Sequence, residues 1–198
     1  CLAVSLLGLY IRIHTLGFAQ KNTSGRNTNK QIADYVNTTG CYSIMRHPLY
    51  VGNFLMWLGI GMLTGSIWFN IIFILSFWLY YERIMYAEES FLIGIFGEEY
   101  TNWSNRVPPF FPKLALWQKS DLGFSWVKII RQEKSGIAAL FIVFMLFHQI
   151  SFFAKNNEVD LTPSFWNVAC IAAVIYIATI KTIQKTTSLL DGDRRKTS

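Results

Sequence analysis

The sequence predicts an all-α, polytopic membrane protein with about five transmembrane helices, and three observations support this prediction. Hydrophobic residues make up 52% of the 198 residues, whereas only 15% are charged. The apolar residues come in blocks separated by charged segments, which is typical of membrane-spanning helices. Lysine and arginine are concentrated in alternate connecting segments, so all basic segments fall on one side of the membrane. The positive-inside rule makes that side cytoplasmic, and it predicts an integral membrane protein, located in the inner membrane if the cell is bacterial.

Residues 1–18 are apolar and predict the inner end of a transmembrane helix, with Arg12 and His14 near the membrane interface. Because the chain opens with Cys1 rather than methionine, we expect further hydrophobic sequence upstream. Residues 19–40 are polar and rich in asparagine and threonine, which indicates a loop or a short surface helix.

Residues 49–81 are apolar almost throughout and predict a tight helical hairpin. At about 1.5 Å per residue the segment is too long for a single crossing. The sequence "GIGMLTGS" (59–66) therefore marks the break between two helices. Gly61 and Gly65 are expected to serve close helix packing or the bend.

The C-terminal half predicts a charged surface segment followed by two more crossings. Residues 82–134 are amphipathic, and "RVPPFFP" (106–112) must interrupt any helix. Residues 135–153 cross again, and Thr162 as N-cap with Pro163 as first helical residue starts a last crossing to about Ile180. We therefore expect a core at 1–134, incomplete at its N-terminal end, and two additional helices with a basic tail at 135–198.

Charge and cysteine content exclude some classes of function. The net charge of +6 comes from basic residues that border apolar blocks, which favours lipid headgroups over nucleic acid as the partner. Cys1, Cys41 and Cys170 are far apart and odd in number, so neither disulfides nor a metal site are expected.

The stretch "CYSIMRHPLYVGN" (41–53) is the first candidate half of a functional site. Pro48 suits the first turn of a helix, whose free N–H groups attract anions. Arg46 and His47 add donors, while Tyr42 and Tyr50 offer aromatic faces to a cation. Such a site fits a ligand with both a carboxylate and a positive centre. The alternative is an interfacial anchor in which Arg46 contacts lipid phosphates.

The second half lies in "YYERIMYAEESFLIGIFGEEY" (80–100), where the hairpin leaves the membrane. Glu88 and Glu89 differ by about 100° around a helix, so we expect one to bind a ligand and the other to hold an arginine or a loop. Arg83 lies deeper and could grip an acceptor's carboxylate or phosphate. The alternatives are a solvated charged helix face and, for Arg83, a lipid contact or a pair with Glu82.

Three segments together, "TTGCYSIMRHPLYVGN", "AEESFLIGIFGEEYTNW" and "RVPPFFP", resemble the isoprenylcysteine carboxyl methyltransferases and their relatives, the phospholipid N-methyltransferases. The resemblance spans about residues 34–112 and implies a pocket for S-adenosylmethionine at the cytoplasmic membrane face, which a membrane lipid or lipid-linked acceptor enters from the bilayer. Arg83 is nearest to the family's acceptor-binding arginine. With Arg46 from the helix-start argument, the predicted cofactor contacts are Asp34, Tyr35, Val36, Asn37, Tyr42, Arg46, His47, Pro48, Tyr50 and Glu88.

The expected reaction is methyl transfer from S-adenosylmethionine to an oxygen or nitrogen of the acceptor. An ionised carboxylate or phosphate needs no general base, whereas an amine needs one, and Glu89 is the candidate. Two other functions stay open. One is an NADPH-dependent sterol-type reductase, although such enzymes usually carry "KYG" after a single acidic residue. The other is a non-catalytic membrane adaptor whose charged segments bind only headgroups or a partner.

Overall fold

The computed structural model describes residues 1–19 and 33–187, and within these ranges every regular element is a helix. The predicted all-α class is therefore confirmed for this part of the chain. Residues 20–32 of the predicted polar segment, and the basic tail from residue 188, lie outside it. The helices are α1 (Leu2–Phe18), α2 (Cys41–Ile44), α3 (Pro48–Gly61), α4 (Ile67–Phe96), α5 (Glu98–Ser104), α6 (Trp126–Asn156) and α7 (Phe165–Thr186).

Three of these helices, α4, α6 and α7, are long and apolar enough to cross a membrane. The helix α1 and the segment Pro48–Thr64 are shorter apolar helices. The count of five crossings stays a prediction. The chain divides into two compact units, Cys1–Phe124 and Ser125–Ser198.

The predicted hairpin is confirmed in the first unit. Helix α3 ends at Gly61, a 3₁₀ turn follows at Met62–Thr64, and α4 begins at Ile67. Gly65 has a φ of 64°, a left-handed conformation that costs glycine little because it has no Cβ. Ser66 then caps α4, because its hydroxyl accepts a hydrogen bond from the Phe69 N–H at 3.3 Å.

The backbones of α1 and α3 are in direct contact because glycines lie in the interface between the two helices. A Cβ added to Gly8 would lie 2.5 Å from the carbonyl oxygen of Gly52, and one added to Gly59 would lie 2.2 Å from Ser5 Oγ. The Ser5 hydroxyl donates to the Met56 carbonyl at 2.9 Å, which adds an interhelical hydrogen bond. Small residues and interhelical hydrogen bonds are the usual means by which membrane helices associate.

The expected position of Arg12 near the membrane interface stays a prediction, and the structure shows where its side chain packs. The Arg12 side chain is buried between α1 and α3, with 7% of the residue exposed. Its Nη1 donates to Asn53 Oδ1. Gly52 leaves room for the stem, since a Cβ there would lie 2.5 Å from Arg12 Cγ.

Helix α4 has 30 residues and brings the two candidate halves to one end of the hairpin. Glu88 follows the start of α4 by about 32 Å at 1.5 Å per residue, close to the thickness of a bilayer's hydrocarbon core. Because α3 runs in the opposite direction in the hairpin, its first residue, Pro48, lies at the same end as Glu88.

In the second unit, α6 begins at Trp126 rather than at Ser135, after Ser125 accepts a hydrogen bond from the Lys128 N–H. The predicted start of the last helix at Thr162 and Pro163 is wrong, because α7 begins at Phe165. The N–H and hydroxyl of Thr162 both donate to Asp160 Oδ1, at 2.9 and 2.5 Å. This local turn competes with helix formation.

Candidate functional site

The segment that precedes α3 is held by the proline-rich loop that follows α5. The Arg46 N–H donates to the Pro108 carbonyl at 2.9 Å, and the His47 N–H donates to the Pro109 carbonyl at 3.1 Å. Prolines favour extended backbone, so this loop is not helical and its carbonyls are free to accept from Arg46 and His47. Helix α3 starts at Pro48 with His47 as N-cap, which confirms the predicted helix start.

Four polar side chains from α4, from the first turn of α3 and from the residue before His47 form one cluster with His47. Its Nε2 lies 2.7 Å from Glu89 Oε1, and its Nδ1 lies 3.8 Å from Glu88 Oε2. Arg46 Nη1 lies 3.2 Å from Glu89 Oε2, so both oxygens of Glu89 are engaged. The Tyr50 hydroxyl donates to Glu88 Oε2 at 2.7 Å. The structure thus joins the two candidate halves into one charged cluster.

Beside this cluster lies a cleft with a volume of about 360 Å³ when it is counted out to its open mouth. Its wall combines a cation, a carboxylate, an imidazole and several aromatic rings. Seven of the predicted cofactor residues line it, as do three residues that sequence reasoning missed. The lining residues are Tyr35, Val36, Asn37, Tyr42, Arg46, His47, Glu88, Leu92, Tyr100 and Trp103.

The three missed residues carry recognisable signals in the sequence. Leu92 lies one helical turn after Glu88 and therefore on the same face of α4. Tyr100 and Trp103 are three residues apart on α5, within the quoted segment "FGEEYTNW", and both are buried. Their three-residue spacing on one helix is equally typical of packing residues, so the spacing alone does not indicate a ligand contact.

The acidic residues also act on the tyrosines of the cleft. Burial, followed by the negative charge of Glu88, raises the pKa of Tyr42. Burial and the nearby charge of Glu89 raise the pKa of Tyr100. Both phenols therefore stay protonated at neutral pH, and each can offer a hydroxyl donor to a ligand.

The structure does not bring every predicted site residue to the cleft. Asp34 is exposed and lies outside the lining, and Pro48 serves the helix start. Arg83 is exposed on α4 and lines no described part of the cleft. It is displaced from Glu88 by about 140° around the helix axis at 100° per residue.

A larger cavity, about 900 Å³ by the same measure, adjoins the cleft at Trp103. Its wall includes Ser43, Arg106, Trp117 and Gln118. Within the described residues, the buried Trp103 Nε1 and Arg46 Nε have no hydrogen-bond partner. A buried donor without an acceptor costs about 1–3 kcal/mol, so these two nitrogens favour a ligand that carries acceptor atoms.

Known proteins resemble this chain over most of its length. The phospholipid methyltransferase family matches residues 2–99. The cobalt-zinc-cadmium resistance protein CzcN of Cupriavidus metallidurans is 39% identical over 155 residues, which cover 78% of this chain and 63% of that protein. The protein-S-isoprenylcysteine O-methyltransferase of Schizosaccharomyces pombe is 33% identical over 107 residues, which cover 54% of this chain and 45% of that protein. No solved structure gives a significant match.

The relatives fix the family but not the activity of the whole protein, because the chain spans only 63% and 45% of the length of these two relatives. The matched residues include α1, the charged cluster and the hairpin. Three helices that can cross a membrane agree with this assignment. The chain is therefore an integral membrane protein that belongs to the family of phospholipid methyltransferases and protein-S-isoprenylcysteine O-methyltransferases.

Proposed function

We propose that this chain binds S-adenosylmethionine in the cleft and directs methyl transfer to a lipid or lipid-linked acceptor at the cytoplasmic face of the membrane. The observation that carries the proposal is the convergence of Arg46 and His47 with Glu88 and Glu89 beside an aromatic cleft. Membership of a methyltransferase family supports the reaction class.

The donors and acceptors of the cleft fit this cofactor. Glu88 can accept from its ammonium or ribose hydroxyls, whereas Arg46 Nε suits its carboxylate. Trp103 Nε1 suits a ring nitrogen of its purine. The aromatic rings of Tyr42 and Tyr100 suit a positively charged sulfur. The cavity that adjoins the cleft at Trp103 adds the room that a molecule of this size requires.

When bound, S-adenosylmethionine would supply a methyl group on a sulfonium. An acceptor oxygen or nitrogen would attack the methyl carbon in line as the carbon–sulfur bond breaks, and S-adenosylhomocysteine would leave. The residues of the chain would hold and orient the reactants in the cleft, which is how catalysis by positioning works. Both oxygens of Glu89 are occupied by Arg46 and His47, so Glu89 is poorly placed to accept a proton. An acceptor that is already ionised, such as a carboxylate or phosphate, is therefore favoured over an amine.

The acceptor reaches the cleft from the bilayer in this proposal. The position of Glu88 about 32 Å along α4 from its start corresponds to the border of a hydrocarbon core. Arg83 stays a predicted acceptor contact. Because it is exposed and faces away from Glu88, it would act on an acceptor outside the cleft.

Ligand binding by the purified protein tests the cofactor. We expect S-adenosylhomocysteine, but not NADPH, to bind and to raise the thermal midpoint. Glu88→Gln and Arg46→Lys should each weaken this binding by about tenfold or more, since each alters a charged hydrogen bond. Glu98→Gln is the matched control, because Glu98 is exposed and outside the cleft lining. Binding of NADPH would favour the reductase. If neither Glu88→Gln nor Arg46→Lys changed the binding of any ligand, the non-catalytic adaptor would be favoured.

Membranes incubated with radiolabelled S-adenosylmethionine test the acceptor. Label recovered in the lipid extract indicates a lipid acceptor, whereas label in the protein fraction that base treatment releases indicates a carboxyl ester. The Glu88→Gln protein should give neither signal above background. Equal labelling by the Glu88→Gln and wild-type proteins would overturn the proposal.

A further inference from the structure

We infer that Arg12 is a positioning residue for the proposed methyl transfer, which acts from α1 through Asn53 and Tyr81 on the Tyr50 that orients Glu88. The inference rests on the proposed function, because it assigns a role within the same site. Arg12 does not line the described part of the cleft, so it acts only through its neighbours.

Burial of Arg12 costs free energy, which indicates that this residue has a role beyond packing. An arginine inside an apolar helix pair must give up hydration, and ionisable residues within membrane helices usually serve function. Arg12 is buried, and its stem crosses the α1–α3 contact at Gly52, where any side chain would collide with it. Packing alone would be served as well by an apolar residue of similar size.

The Arg12 guanidinium contacts the first turns of α3. Its Nη1 donates to Asn53 Oδ1 and lies 3.5 Å from the Leu49 carbonyl oxygen. Leu49 and Asn53 flank Tyr50 in sequence, but Gly52, under the arginine stem, lies about 160° around the helix from Tyr50. Arg12 thus holds the turn that presents Tyr50 to the site.

Further contacts connect Asn53 to the charged cluster around His47. Asn53 Nδ2 donates to the Tyr81 hydroxyl at 3.2 Å, which fixes the amide between Arg12 and α4. The Tyr81 ring centroid lies 5.1 Å from that of Tyr50, and the Tyr50 ring stacks on His47 at 5.4 Å. The Tyr50 ring therefore contacts both His47 and Tyr81, and its hydroxyl binds Glu88.

Charge provides a second route from Arg12 to the cleft. The pKa of Tyr42 is raised by burial and by Glu88, and the positive charge of Arg12 opposes this rise. Arg12 is thus close enough to act on a phenol that lines the cleft. A lysine would keep the charge but could not make the planar, directed contacts of a guanidinium.

The test is a double-mutant cycle on binding of S-adenosylhomocysteine. We expect Arg12→Lys to weaken binding by about threefold to tenfold and to be less than additive with Tyr50→Phe, since both variants loosen the same orientation of Glu88. Ser5→Ala is the matched control, because it removes another α1–α3 hydrogen bond, from Ser5 to Met56. Ser5→Ala should lower the thermal midpoint without changing affinity, and it should be additive with Tyr50→Phe.

The outcomes separate this inference from the proposed function. If the wild-type protein does not bind S-adenosylhomocysteine, the proposed function fails. If the wild-type protein binds it but Arg12→Lys binds equally well, only the role of Arg12 fails. The inference is also overturned if Ser5→Ala weakens binding as much as Arg12→Lys, or if Arg12→Lys and Tyr50→Phe are fully additive. If Arg12→Lys does not fold, Asn53→Ala and Tyr81→Phe interrupt the same path and should show the same coupling to Tyr50→Phe.

Discussion

The Tyr50 hydroxyl and the Glu88 carboxylate, 38 residues apart in the chain, are joined by a hydrogen bond of 2.7 Å. This bond connects the start of one helix of the hairpin to the far end of the other. It holds one oxygen of Glu88 beside His47 and fixes how the carboxylate faces the cleft. The proposed cofactor site therefore depends on a contact that the hairpin creates.

Replacement of Tyr50 by phenylalanine tests this contact directly. Tyr50→Phe should weaken binding of S-adenosylhomocysteine by about tenfold or more, because a hydrogen bond to a charged group is worth about 1.5–3 kcal/mol. Tyr80→Phe is the matched control, since Tyr80 is exposed and lies outside the cleft lining. Titration calorimetry measures both affinities. Equal affinities of the two variants would contradict the assigned role of Tyr50.

The pairing of His47 with Glu89 predicts non-additive effects on affinity. His47→Ala should weaken binding of S-adenosylhomocysteine by about tenfold or more in titration calorimetry, because it removes the group on which both carboxylates converge. Adding Glu89→Gln to this variant should cost little more, since the 2.7 Å contact is already lost. Near-normal binding by His47→Ala would remove the site from this position.

The Trp103 nitrogen predicts opposite effects on the free and bound protein. Trp103→Phe removes a buried N–H that has no acceptor within the described residues. The thermal midpoint of the free protein should then stay equal or rise, whereas the increase caused by S-adenosylhomocysteine should shrink. Trp68→Phe is the control, because Trp68 is 73% exposed and lines neither the cleft nor the larger cavity. An unchanged ligand-induced increase in Trp103→Phe would show that this nitrogen makes no bond to the ligand.

The close contact of α1 and α3 predicts which glycines tolerate a methyl group. Gly59→Ala places a Cβ 2.2 Å from Ser5 Oγ and should lower the free energy of unfolding by about 1–3 kcal/mol. Gly94→Ala meets no atom within 4 Å and should raise it by about 0.5–1 kcal/mol, the usual gain in a helix interior. Unfolding in mixed detergent micelles compares the two variants. The reverse order would refute the packing described for α1 and α3.

Acid should loosen the turn between α6 and α7. His148 Nε2 lies 2.8 Å from Asp160 Oδ2, and hydrogen bonds, first from the Thr162 hydroxyl and then from His148, hold the pKa of Asp160 below its usual range. The stability that this carboxylate contributes is therefore complete above a pH of about 4, the value for an unfolded aspartate, and is lost as the pH falls further.

Hydrogen exchange in α6 and α7 measures this loss. Exchange should accelerate in wild-type protein below pH 4, after correction for the intrinsic rate. Asp160→Asn should exchange faster at neutral pH and respond less to acid. Glu158→Gln is the control because Glu158 is exposed in the same turn. Identical acid profiles for Asp160→Asn and wild type would exclude this carboxylate as the cause.

Local signals in the sequence were sufficient for much of the fold. Length and uninterrupted hydrophobicity predicted the hairpin at residues 49–81, and a proline after a polar pair predicted the start of α3. These signals succeed because a helix and its ends depend on residues within a few positions. The start of α7 failed for the same local reason, since the sequence does not show that Thr162 would bind Asp160 rather than cap the helix.

The sequence by itself determined the apolar blocks, the helix breaks and the two candidate halves around His47 and Glu88. Only the tertiary structure decided that both oxygens of Glu89 bind Arg46 and His47 and that Trp103 lines the cleft. It also decided that Arg12 is buried between α1 and α3. These are contacts between residues about 40 or more positions apart. They depend on how closely glycine-lined helices approach and on the direction that each side chain takes, and neither is encoded in the spacing of residues along one segment.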